Sequence, residues 1–173
     1  NNMKKQIFSL LMLLLAAMNM QAADGITVKF DVKNPVLTNV VLVYHMSVNE
    51  YALTDGKATV QLDGMDALYA NVYYGEKFKI VYLQKGDDMT ISFDANDFDN
   101  TFAVKGGNEK AVDYLNKIQL RGLADDTYKL PWDEFKTTVD KKIASMKRLL
   151  KARKFAADDK FQKMEEGRIT YFY

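Results

Sequence analysis

From Ile26 to about Lys105 the chain alternates apolar and polar residues with a period of two, a pattern that admits little besides strands with one buried face. In the first run Ile26, Val28, Phe30 and Val32 fall on one side, and Thr27, Lys29 and Asp31 on the other. Further β-rich runs follow at 39–45, 57–62, 68–74, 78–83, 89–94 and 101–105. They are separated by Asn34-Pro35, Asp55-Gly56, Asp63-Gly64, Gly75-Glu76 and Gly86-Asp87, residue pairs that start turns or accept positive φ. About seven short strands at roughly ten-residue spacing predict an antiparallel sandwich or an open barrel.

Beyond Gly106-Gly107 the period becomes helical, so the glycine pair reads as a hinge from sheet to helix. Asn108 is suited to cap a helix whose face carries Ala111, Tyr114, Leu115 and Ile118, ended by Gly122 after Arg121. A second helix takes Pro131 in its first turn and places Asp133 and Glu134 at the positive end of the dipole. Lys147, Arg148, Lys151, Arg153 and Lys154 gather at its negative end, and its apolar stripe is Trp132, Phe135, Val139, Ile143, Met146, Leu149 and Leu150. A last segment from about Asp158 carries Phe161, Met164, Ile169 and Phe172 and reaches Tyr173 without a stop signal, so further chain is expected there. The expected class is α+β: an N-terminal antiparallel sandwich or open barrel of about seven strands in 23–107, then two or three helices in 108–173 leading to a missing C-terminal domain.

The residues ahead of the sheet have the order of a secretory signal. Lys4 and Lys5 precede an apolar run from Ile7 to Ala17, and the small residues Ala22 and Ala23 offer a cleavage site, expected after Ala22. The run is about 11 residues against the roughly 20 needed to span a bilayer, so the mature chain is expected to be periplasmic, without a transmembrane segment. The chain has no cysteine. Disulfides, thiolate metal sites, cysteine catalysis and a lipid-anchored form are thereby excluded for these residues, and stability in an oxidising compartment must come from packing. Cleavage removes two of the 24 Lys and Arg and none of the 23 Asp and Glu, leaving 22 cationic against 23 anionic residues. No global charge draws such a chain to nucleic acid.

Each residue with chemical potential has a plainer reading. His45 is the sole histidine; a general base needs a partner and zinc needs three or four ligands, so it reads as a structural or surface residue. Asp94, Asn96, Asp97, Asp99 and Asn100 offer oxygen ligands for calcium but lack the glycine and distal glutamate of the twelve-residue loop, and read as a solvated turn. Asp87 and Asp88 are adjacent on a turn, where side chains diverge, and do not make a carboxylate pair. Gly106-Gly107 is followed by no lysine-serine pair and is not a phosphate loop. The cationic stretch from Lys147 to Lys154 can meet anionic lipid or nucleic acid, but dipole complementarity explains it more simply. Tyr69, Tyr73, Tyr74 and Tyr82 can stack on sugar faces, and aromatics are also ordinary strand formers. No catalytic, cofactor-binding or metal-ligating residue is assigned, no cofactor is expected, and binding residues stay unassigned.

The run from Leu83 through Gly86, Asp87 and Asp88 to Ile91, followed by Val104-Lys105-Gly106-Gly107-Asn108, resembles the N-terminal accessory domain that precedes the thioredoxin domain in exported thiol-disulfide oxidoreductases of the TlpA-like group. In that family a signal peptide leads into a β-rich domain of unknown function, then a helical connector, then the thioredoxin fold. The closing Glu166-Gly167-Arg168-Ile169-Thr170-Tyr171 is similar to the end of that connector, so the resemblance spans Ile26 to Tyr173. It implies a non-catalytic region that positions a client or partner for a redox domain lying beyond Tyr173, with protein thiols or disulfides as clients of that domain. The family's Cys-x-x-Cys pair has no match here, so no catalytic residue carries over. Two rivals stand beside it. One is a free-standing envelope protein holding a glycan or peptide on its tyrosine-rich sheet face; the other is a purely structural protein whose helices complete a homo-oligomer, a homodimer among the options, with Phe161 and Phe172 between chains.

Overall fold

The computed structural model describes residues 25–156 and 158–173; the secretory signal read at 1–22 lies outside them. The chain is α+β, with strands first and helices after. Its described residues fall into two compact units, 25–109 and Lys110–Tyr173.

The first unit holds eight strands: β1 (Gly25–Lys33), β2 (Asn39–Tyr44), β3 (Ser47–Ala52), β4 (Lys57–Asp63), β5 (Ala67–Tyr74), β6 (Lys77–Gln84), β7 (Asp88–Asp94) and β8 (Ala103–Lys105). They form two four-stranded sheets, ordered β4-β1-β7-β8 and β3-β2-β5-β6. Two separate sheets make a sandwich rather than an open barrel. The second sheet is antiparallel throughout, whereas the first is mixed, because β1 runs parallel to β7 from Thr27↔Asp88 to Lys33↔Asp94. Side-chain alternation carries no information on strand direction, so the antiparallel expectation fails at that one pairing.

Alternation does set the core. Ile26, Val28, Phe30 and Val32 are all buried, as are Val60 and Leu62 of β4 and Met89, Ile91 and Phe93 of β7. From the other sheet come Val40, Leu42, Leu68, Ala70, Val72 and Tyr74. The layers meet where Tyr74 lies edge-on to Phe93, ring centroids 5.1 Å apart. The Tyr74 hydroxyl accepts the Val36 and Leu37 amides at 2.9 and 2.8 Å, which pins the loop between β1 and β2.

The unexpected strand is β3. His45 and Met46 lie in the turn between β2 and β3, with φ of 47° and 60°, so His45 is not in a strand as read from the sequence but at an exposed hairpin tip. Two successive left-handed residues are what a two-residue hairpin needs, and without glycine or asparagine the turn left no mark in the sequence. The acidic stretch is likewise helical rather than a plain turn. A 3-10 turn (Ala95–Asp97) leads into the four-residue α1 (Phe98–Thr101), which delays β8 to Ala103. Phe98 anchors it, fully buried with its ring 4.8 Å from that of Phe93.

The second unit carries the rest of α2 (Glu109–Lys117), then α3 (Trp132–Lys151) and α4 (Lys160–Phe172). The first of these stops at Lys117, short of Gly122, and Pro131 precedes α3 instead of sitting inside its first turn. The stripe of α3 is buried only at Met146 and Leu150, while Trp132 is 71% exposed. Phe161 is buried within its own chain, its ring 5.9 Å from Tyr114 and 5.0 Å from Phe155, which removes it from a chain-to-chain contact. Among the described residues no helix is long and apolar enough to cross a membrane.

Candidate functional site

The turn and hinge quoted from the sequence come together in space. Asp87 follows Gly86, whose φ is +90°, and its carboxylate accepts the Gln84 amide and the Asn108 side-chain amide, both at 2.7 Å. Through its side-chain N–H, Asn108 ties the hinge to the turn between β6 and β7. Glu109 closes the same corner by accepting the Gly106 amide at 3.0 Å. Asp88 turns away to Lys29, with a closest approach of 2.7 Å, so the adjacent carboxylates diverge.

Burial raises the Asp87 carboxyl above its ordinary value, against the lowering effect of its two hydrogen bonds. A raised folded pKa means that the native state prefers the protonated acid. Asp87 therefore adds most stability at low pH and loses it as pH climbs from the ordinary carboxylate range through the folded value. Asp87→Asn, which keeps one acceptor oxygen, is expected to leave stability near neutral pH within about 1 kcal/mol of the parent and to remove this pH dependence. Asp87→Ala, which strands two donors, is expected to cost about 1–3 kcal/mol in urea unfolding.

The other sequence candidates are dispersed. Asp94 accepts the Asn96 amide and the Asn34 side chain, at 2.9 and 2.8 Å, and Asp97 holds Asn100 at 2.8 Å. Asp99 pairs with Lys79 at 3.0 Å and Lys77 at 3.8 Å, chiefly the Lys79 contact holding its carboxyl below the usual range. Among the described residues no cluster of three or more His, Asp or Glu is arranged to hold a metal ion. On the helices Arg153 reaches Asp113 at 3.5 Å, and the Lys154 carbonyl accepts Lys110 Nζ at 2.7 Å. The four tyrosines do not form one surface. Tyr74 faces the core and Tyr82 is fully buried beside Tyr69, while Tyr73 stacks on the 46% exposed Phe78 with centroids 5.2 Å apart.

A further opening in the sandwich lies elsewhere. β3 and β4 are the edge strands of the two sheets, and a cleft of about 540 Å³ lies between them. Glu50, Tyr51 and Ala52 line one wall, Lys57, Ala58 and Thr59 the other. Ala58 stands opposite Phe30 in the register, and its small side chain leaves the gap open. Tyr51 borders the gap, its hydroxyl pushed up to about 12 by burial first and by its hydrogen bond with Tyr44 second. The lining places no nucleophile beside a base.

No family model, curated protein or solved structure matches this chain. Its own residues thus bear the functional reading: a polar tie at one corner and an open double edge. Sequence reasoning named the tie's members separately, as turn and hinge. It missed the cleft, since β3 went unread and the edge position of a strand is a property of sheet order.

Proposed function

We propose that this chain is the non-catalytic N-terminal region of an exported thioredoxin-like thiol-disulfide oxidoreductase, which positions a protein client or partner for a redox domain encoded beyond Tyr173. The observation that supports it best is the Asp87–Asn108 contact at 2.7 Å. The residues carrying the family resemblance tie Asn108, just ahead of the helices, to the turn between β6 and β7, which supports a positioning role rather than a chemical one.

Reading the coding sequence past the Tyr173 codon tests this. An in-frame continuation with a Trp-Cys-x-x-Cys stretch is the expected result; a stop codon directly after Tyr173 would refute the proposal. The second reading, an envelope protein stacking a glycan or peptide on an aromatic face, is favoured by the outward Tyr73–Phe78 pair. It has that pair in place of the four tyrosines counted from the sequence.

A further inference from the structure

We propose that the free edge of β3 binds an extended segment of another polypeptide by strand addition, with a cationic residue of that segment opposite Glu50. The proposal rests on the positioning role above and names the chemistry of the segment that is positioned.

The ladder decides which groups are available. Tyr44 pairs with Ser47 across a two-residue turn, and the Leu53 amide donates to the Thr38 carbonyl at 2.8 Å. In an antiparallel ladder the bonded residues alternate, so Ser47, Asn49 and Tyr51 exchange bonds with β2. Val48, Glu50 and Ala52 direct their N–H and C=O groups outward, into and beside the cleft. Backbone groups in that repeat are matched by another extended backbone and by little else.

The other edges are guarded along β8 and β6, and along β4 at its start only. β8 has three residues; β6 opens with Lys77 and Lys79, both held by Asp99; the start of β4 is taken by the reciprocal Thr54–Lys57 bonds of 2.9 Å. Natural sheets protect edges with short strands, lysines, prolines or bulges. β3 has none of these. It pairs with β2 over all six residues without a bulge, and Glu50 is its sole charged side chain.

That charge selects the occupant. A second copy of β3 laid antiparallel so that all three outward residues are paired, Val48 with Ala52 and the reverse, would set Glu50 directly against Glu50, a destabilising cross-strand pair. A lysine or arginine there is favourable instead, and Val48 and Ala52, sharing the Glu50 face, suit apolar or β-branched neighbours two positions away. The residues between them face the gap bordered by Tyr51 and Ala58.

Fluorescence anisotropy with the mature chain and a seven-residue peptide, valine and threonine alternating about a central lysine, tests the idea. Two N-methylated versions accompany it: one blocks the lysine N–H and those two residues away, the other the intervening N–H groups. Saturable binding is expected, with roughly tenfold weakening by the first methylation and little by the second. Glu50→Pro removes an outward N–H that β2 does not use and is expected to weaken binding about tenfold. Glu50→Lys is expected to exchange preference to a peptide with a central glutamate. No saturable binding, equal effects of the two methylations, or full binding by a folded Glu50→Pro variant would each overturn the proposal. So would a dimer in sedimentation equilibrium that Glu50→Pro dissolves, since the edge would then belong to a second copy. None of these outcomes depends on the sequence beyond Tyr173.

Discussion

Arg168→Ala is expected to cost the helical unit about 3 kcal/mol, the lower end of the range for breaking a buried ion pair. Glu165 is fully buried, and Arg168 grips it in a fork, Nε to one oxygen and Nη2 to the other, each at 2.6 Å. The pair is three residues apart on α4, so the helix itself sets the geometry. Removing the guanidinium takes both charge-assisted hydrogen bonds of the fork from a fully buried carboxylate. Arg168 keeps 30% of its side chain exposed, so solvent relaxes part of the loss. The surroundings sharpen the cost. Tyr114 Oη is buried there without a hydrogen-bond partner, its pKa pushed up to about 12 by burial first and the Glu165 charge second. Urea unfolding followed by the helical far-UV signal measures the loss. The double variant Glu165→Leu/Arg168→Met is expected to fall within about 1 kcal/mol of the parent, because a buried pair replaced by apolar residues of similar size is close to neutral. A double variant as damaged as the single one would assign Arg168 a packing role instead.

That ion pair also marks a limit of sequence reading. Glu165 and Arg168 stand among Lys163, Glu166 and other charges, and charge alone does not tell a solvated face from a buried one. Conversely, the alternation in β1 and β5 identified core residues directly, since period two leaves one face to bury. Tyr69, Tyr73, Tyr74 and Tyr82 show where that logic stops: composition made them one group, and the register divides them between core and surface. Trp132 and Phe135 were legible as one stripe, yet their rings stack at 5.9 Å near an exposed helix start, while the stripe is buried at its far end. The parallel β1–β7 pairing and the edge cleft arise from strand order, which pairwise residue patterns do not encode.

Gly106→Ala is expected to be the most damaging change in the sheet-to-helix corner, at about 2–4 kcal/mol. Two costs coincide. Its φ of +75° lies where an L residue is penalised by about 1–2 kcal/mol. In addition, a Cβ there would meet the Asp88 carbonyl oxygen at 2.5 Å, a contact that only backbone movement relieves. Asp88 is paired with Thr27 of β1, and Lys105 with Thr90 of β7, so neither chain yields without disturbing the mixed sheet. Gly64→Ala separates the two effects: its φ is +70°, with nothing within 4 Å of the added carbon, so it carries the backbone cost alone. Unfolding free energies of both variants from urea titration should therefore differ by about 1–2 kcal/mol, with Gly106→Ala the weaker protein and the lower midpoint. Equal midpoints would mean that the corner gives way easily, and the contact of Asp87 with Asn108 would then be an incidental hydrogen bond rather than part of a rigid junction. A clear gap would tie the glycine pair to the close approach of two backbones, at the point where the chain leaves its sheet to begin its helices.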